Sequence, residues 1–318
     1  MEQSNAAIIQ DPGIPQFTLL ITTKNRRADL KITLSKINHL LLRKEVLCII
    51  CDDGSTDDSS LFIENEYPEI QLIKNGKSRG LIYSRNRLLA LVRTDFAISL
   101  DDDAHFLTDS PLSAIRDYFN KHPRCGLIAL RIFWGLEPPE SLISGEIPLR
   151  VRSFVGCAHV WRMSAWNLIP NYPEWFVFYG EEDFAAFQLF KKDVEVHYLP
   201  QVLVQHRVDI KSRIKNRDYR LRLRRSLRSG WYLYLLFYPV HRIPGIIAYS
   251  IWSQIKTKLF KGDWRTIFTI VGATFDVFVN SVRIFLNRNG LSSKEFDEFS
   301  KLPQTKIYWK PQIENNQE

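Results

Sequence analysis

Phe96-Ala97-Ile98-Ser99-Leu100-Asp101-Asp102-Asp103 is an apolar run that ends abruptly in three carboxylates. It reads as a buried strand whose carboxyl end delivers acids to one edge of a sheet. The same design occurs twice upstream. Phe17-Thr18-Leu19-Leu20-Ile21-Thr22-Thr23 gives way to Lys24-Asn25-Arg26, and Val46-Leu47-Cys48-Ile49-Ile50-Cys51 gives way to Asp52-Asp53-Gly54-Ser55. A further strand is expected at residues 70–74. Between these runs Leu30, Leu34, Ile37 and Leu41 recur at helical spacing, and helices are expected at 57–66 and, behind Gly80, at 81–92. Strand and helix in alternation imply crossover units, hence an α/β fold with a mainly parallel central sheet flanked by helices. Ligands of such sheets bind beyond the carboxyl ends of the strands. Three strand ends therefore bring polar groups to one place.

Composition agrees with a folded enzyme-sized chain. The 318 residues are 45% hydrophobic and 25% charged, which excludes a disordered or collagen-like protein. Four cysteines are too few for a disulfide scaffold. Cys48 and Cys51 have the spacing of a metal pair but lie in a strand, where residues three apart face opposite sides, so they read as buried apolar groups. Residues 1–15 form a polar, flexible lead-in without the pattern of a signal peptide. No apolar run reaches 18 residues, so no membrane span is expected, and the protein is placed in the cytoplasm.

Residues 16–206 carry the sheet pattern. Within them 134–152, with two glycines and three prolines, is expected as a long loop over the site, where an acceptor could be recognised. Residues 153–162 are expected as another strand. After His206 the character changes. Residues 207–228 hold ten Lys and Arg against Asp209 and Asp218, within an overall charge of +8. Aromatic and apolar segments follow, with Ile267, Val271, Phe275, Phe278 and Val282 on one helical face. Region 207–318 thus reads as basic and helical. It either attaches to an anionic membrane surface at the inner face of the cell membrane, or packs as a bundle on the first region or on a second subunit. Lipid phosphate explains the basic stretch better than nucleic acid does.

Three acidic groups carry candidate chemistry. Asp101 and Asp103, two apart at a strand end, can point to one side and hold a hard divalent cation, Mn²⁺ or Mg²⁺. Asp52-Asp53-Gly54-Ser55 is either a helix-capping turn or a carboxylate for a nucleobase or ribose. In Gly180-Glu181-Glu182-Asp183, mutual repulsion raises at least one pKa, as a general base requires. His206 is either a metal ligand or a boundary histidine. There is no glycine-rich dinucleotide fingerprint and no P-loop.

In order and spacing, Thr22-Thr23-Lys24-Asn25-Arg26, Asp52-Asp53-Gly54-Ser55, Gly80 with Ser84-Arg85-Asn86, Asp101-Asp102-Asp103, Gly180-Glu181-Glu182-Asp183 and Gln205-His206 resemble the family 2 glycosyltransferases of GT-A fold. The arginine-rich segment, aromatic helices and Leu291-Ser292-Ser293-Lys294-Glu295 resemble rhamnosyltransferase-like bacterial members that build surface polysaccharide. The resemblance implies inverting, metal-dependent transfer of a hexosyl or deoxyhexosyl group from a nucleotide sugar to a glycan or lipid-linked acceptor. It assigns Thr23, Asn25, Arg26, Asp53, Gly80, Arg85 and Asp102 to the donor, Asp101, Asp103 and His206 to the metal, and Asp183, supported by Glu182, to base catalysis. After Asp183 the chain reads Phe184-Ala185-Ala186 with Gln188 where a basic residue is common, which leaves the base open between Asp183 and Glu182. The competing readings are a sugar-1-phosphate nucleotidyltransferase, disfavoured by the absence of glycine from residues 22–26, and a non-catalytic membrane-associated protein with a decayed site.

Overall fold

A computed structural model of the chain describes residues 15–208 and 218–305. Most of the expected lead-in, and residues 209–217 of the basic stretch, lie outside the described residues. The expected strands are present as β1 (Phe17–Thr23), β2 (Val46–Asp52), β3 (Gln71–Lys74) and β4 (Phe96–Asp101). They pair in parallel in the order β3-β2-β1-β4. Register sets Thr23 beside Asp52 and Thr22 beside Asp101, so the polar strand ends are level at the carboxyl edge. The turn of residues 42–45 lies at the opposite edge, where Leu42 is exposed.

Beyond β4 the sheet is mixed. β5 (Ala104–Phe106), β6 (Cys125–Trp134), β7 (Leu149–Val151), β8 (Ala158–Arg162) and β9 (Glu195–His206) complete nine strands among the described residues. β8 is antiparallel to β4 and β6, and β9 is parallel to β6. β5 runs antiparallel to β9 with Ala104 level with His206, and this returns the end of β9 to the acidic run. The strand expected over 153–162 is confined to β8. Residues 153–157 are instead a connection in which Gly156 approaches Arg85 and Glu182.

Helices cover both faces. On one side α1 (Arg27–Leu41), α2 (Ser59–Glu66) and α4 (Pro111–Lys121) pack Leu30, Leu34, Ile37, Phe62, Ile115 and Phe119 against Phe17, Ile21 and Ile98. On the other, α3 (Leu81–Leu91), α5 (Met163–Trp166) and α6 (Glu181–Lys191) join Leu20, Ala97 and Trp161. Cys51 belongs to this second core while Cys48 packs against the first, the opposite-face placement expected of a strand.

The second core continues into the C-terminal region. In α7 (Tyr219–Phe237) the Tyr232, Leu236 and Phe237 side chains are buried, and Phe237 stacks on Phe187 at 4.7 Å. α8 (Ile243–Thr257), α9 (Thr266–Val279), α10 (Ser281–Leu286) and α11 (Ser293–Lys301) follow. A capping box between Ser292 and Glu295 starts α11, which adds Phe296 and Phe299 to the core. α9 is turned inside out. Thr266, Thr269 and Ala273 are its buried residues, whereas Ile267, Val271, Phe275 and Phe278, with Val282 of α10, are exposed.

Candidate active site

The carboxyl edge of the sheet opens into a cavity of about 580 Å³. Its walls include Thr22, Thr23, Lys24 and Arg26 after β1, Asp53 after β2, Ser78, Gly80 and Ser84 around the start of α3, and Asp101, Asp102 and Asp103. Phe178, His206, Arg207, Arg222 and Arg225 complete it. Of the expected donor and metal residues, Thr23, Arg26, Asp53, Gly80, Asp101, Asp102, Asp103 and His206 thus meet at one place. Asn25, Arg85, Glu182 and Asp183 are not among its lining residues.

Asp101, Asp103 and His206 each offer a ligand atom, all within 4.8 Å of one another. His206 Nε2 is 2.9 Å from Asp103 Oδ1 and 3.9 Å from Asp101 Oδ2. Two carboxylates and an imidazole are a donor set that suits Mn²⁺ or Mg²⁺, so the residues fit the expected metal. Arg26 holds the other side of the cluster, with Nη2 2.7 Å from Asp103 Oδ2 and Nε 3.3 Å from Asp102 Oδ1. Burial alone would raise Asp103. The hydrogen bond and charge of His206, with Arg26, overcome it and hold the carboxyl down at about 2. Asp102 is different. Burial pushes it up to about 8 despite Arg26, and Thr23 Oγ1 donates to it at 2.8 Å.

Asp53 lines the cavity, yet its oxygens accept four hydrogen bonds, from Asn75 Nδ2, Ser78 Oγ and the N–H groups of Arg79 and Gly80, at 2.6–2.9 Å. That fills the accepting capacity of a carboxylate, so Asp53 builds the 75–80 wall. The turn needs Gly54, whose φ is +72° and where a Cβ would come within 2.7 Å of Ser78 N. Asn25, also at positive φ, ties the β1 and β2 loops together: its Oδ1 accepts from Thr56 N and its N–H donates to Ser55 Oγ.

Arg85 is buried behind the cavity rather than on it. Its guanidinium donates to Asp101 Oδ1, Glu181 Oε1 and Gly156 O, each at 2.8 Å. It therefore connects the acids after β4 to those of α6. Gly156 permits this approach, because a Cβ there would lie 2.2 Å from Glu182 Oε1. Burial and the adjacent Glu182 push Glu181 up to about 8, against the pull of Arg85. Asp183 is accessible at the residue level, but the protein packed about its carboxyl, with Glu182, pushes it up to about 6.

Two expectations from sequence are changed in detail. The 134–152 loop does not roof the cavity. Gln205 Nε2 donates to Gly135 O and Leu136 O, Tyr198 donates to Glu146, and β7 pairs with β9, so the loop is drawn along that strand. Among the described residues of the basic stretch, Arg220 pairs with Asp263, Arg222 with Asp218, and Arg224 and Arg228 with Asp276. Arg207, Arg222 and Arg225 face the cavity. Arg225 has no ion-pair partner among the described residues, and burial with the neighbouring Arg228 and Arg222 lowers its pKa. Reading the stretch as a lipid-phosphate patch missed both uses. Ser78 was also missed, although it lies in Asn75-Gly76-Lys77-Ser78-Arg79-Gly80, a polar turn after β3 at the same edge.

The family model described as glycosyl transferase family 2 matches residues 18–182. A search of curated proteins found no match. Among solved structures, GalNAc-T7 with UDP, GalNAc and Mn²⁺ aligns at TM-score 0.57 and 13% identity, over 71% of this chain and 49% of that one. The chain thus spans about half the length of that protein. The mannosyltransferase PcManGT from Pyrobaculum calidifontis, with GDP-Man and Mn²⁺, aligns at TM-score 0.54 and 14% identity, over 90% of this chain and 79% of that one.

Proposed function

The chain belongs to glycosyl transferase family 2 and has the GT-A fold, and from that premise we propose that it is an inverting hexosyl or deoxyhexosyl transferase. The donor is a nucleoside-diphosphate sugar. The acceptor is a hydroxyl of a glycan or lipid-linked glycan in surface-polysaccharide synthesis. One observation carries this reading: Asp101, Asp103 and His206 converge on a cavity that also holds Lys24, Arg26, Arg207, Arg222 and Arg225. Acids and cations interleaved in this way suit a metal-associated diphosphate. The Mn²⁺ and nucleotide ligands of the two structural neighbours support the choice of ligands to try.

Asp101, Asp103 and His206 would hold the ion, which when bound supplies positive charge to the departing diphosphate. Arg26 fixes Asp102 and Asp103, and Arg225, with Arg222 whose Nε is held by Asp218, offers guanidinium groups in the same cavity to the diphosphate. Asp183 accepts the proton of the acceptor hydroxyl, and a pKa near 6 leaves it ionised at neutral pH. The acceptor oxygen forms its bond to the anomeric carbon on the side opposite the bond to phosphate oxygen. That bond breaks, and the nucleoside diphosphate leaves with the electron pair.

Calorimetry with UDP, GDP and dTDP, with and without Mn²⁺, tests the reading on wild type and Asp103→Ala. The expected result is metal-dependent binding of one nucleotide, lost in the variant. Absence of binding to all three would overturn it.

A further inference from the structure

We propose that the outer face of α9 and α10, with the turn that leads into α9, lies on an anionic lipid bilayer and carries the catalytic cavity to its surface. For the class of acceptor this rests on the transferase reading; for the face itself it does not. Among the described residues, fourteen of the twenty-five exposed large apolar side chains fall between Val240 and Leu286. Soluble monomers seldom leave so dense an apolar patch uncovered. In α9 the usual arrangement is reversed: threonines, Ala273 and Asp276 face α7, while Val271, Phe275 and Phe278 are 60–76% exposed. A helix folded with its polar side inward needs an apolar medium on the other side.

Charge selects the medium. From Pro239 to Ser292 the acids are Asp263 and Asp276, and both are turned inward by Arg220, Arg224 and Arg228. Lys256, Lys261, Arg265 and Arg283 are exposed around the face with no ion-pair partner among the described residues. An outward charge that is wholly cationic complements lipid phosphate. A second copy packed about a twofold axis would set like cations against one another. Trp252 and Trp264 are exposed near the same rim, where indole rings favour the headgroup level.

Geometry sets the depth. No described helix is long and apolar enough to cross a membrane. The 14 residues of α9 measure about 21 Å, short of the roughly 30 Å hydrocarbon core, so α9 lies in the interfacial plane. α7 presents Arg222 and Arg225 to the cavity and pairs Arg224 with Asp276 of α9. Cavity and bilayer are thus separated by the two helix layers of α7 and α9, about 20 Å. A sugar acceptor anchored by a lipid tail could then reach the cavity while its tail stays in the membrane.

The test is flotation of the full chain with phosphatidylcholine vesicles, with and without phosphatidylglycerol, beside calorimetry of the nucleotide it binds. Expected is binding to the anionic vesicles that salt weakens. Phe275→Ser with Phe278→Ser should weaken it about tenfold or more, and Lys261→Gln about fivefold, with nucleotide affinity unchanged. Three results would overturn the inference: no vesicle binding, vesicle binding indifferent to the phenylalanine pair, or self-association in sedimentation that the pair abolishes. Flotation needs neither donor nor acceptor, so its failure is separate from failure of the transferase reading.

Discussion

Asp101-Asp102-Asp103 and Glu181-Glu182-Asp183 are each three consecutive carboxylates but opposite in their surroundings. The first run is met from several elements, by the cations Arg26 and Arg85 and by the imidazole of His206. Asp103 in consequence stays ionised to about pH 2, and burial drives Asp102 upward despite Arg26. The second run has Arg85 as its paired cation among the described residues, and burial lifts Glu181 to about 8 and Asp183 to about 6. Similar groups are thus sorted by environment: Asp103 keeps its negative charge throughout, whereas Glu181 holds a proton near neutrality and Asp183 releases its own just below it. Arg85 is common to both runs.

The comparison breaks most sharply at Asp103. Replacing it by Ala should lower turnover about a thousandfold and abolish metal-dependent nucleotide binding, while leaving the α6 acids as they are. Arg85→Met strikes both runs. Removing one partner of a buried ion pair costs about 3 kcal/mol, to be read in urea denaturation, with Arg85→Lys recovering part because it cannot reach Asp101 and Glu181 together.

Asp183→Asn should cut turnover about a hundredfold at unchanged nucleotide affinity. The wild-type rate should fall about tenfold per pH unit below pH 6, because protonation removes the base, and the variant should lose that slope. A larger loss in Glu182→Gln would move the base to Glu182.

The smallest effect concerns stability. Glu181 has a folded pKa near 8 against 4.5 for the free side chain, so the folded state holds a proton that the unfolded chain releases. Its contribution therefore declines as pH rises from about 4.5 through 8. Glu181→Gln should flatten the stability profile across that window, as followed by thermal melts at stepped pH.

The parallel half of the sheet was legible because each strand is a contiguous apolar run with its functional residues directly after it. The mixed half was not, since β6 and β9 acquire meaning only from partners far along the chain. His206 illustrates the limit. Its place beside Asp103 depends on antiparallel pairing of β5 with β9, which no local pattern encodes. The arginines of α7 illustrate another: composition showed a basic stretch, but only packing decides that one side of the helix meets the cavity and another meets Asp263 and Asp276. Asp53 was placed correctly at the edge, although its oxygens serve the 75–80 wall.

The turn of residues 42–45, at the edge of the sheet away from the cavity, has a practical consequence. Leu42 is 76% exposed there, whereas Cys51, Cys125 and Cys157 are buried and burial pushes the Cys48 thiol up to about 12. A Leu42→Cys variant would therefore present the fast-reacting sulfur at neutral pH. One dye could be attached there, on the side remote from the chemistry, and its distance from a labelled nucleotide or a labelled bilayer would report how the molecule stands on its substrate.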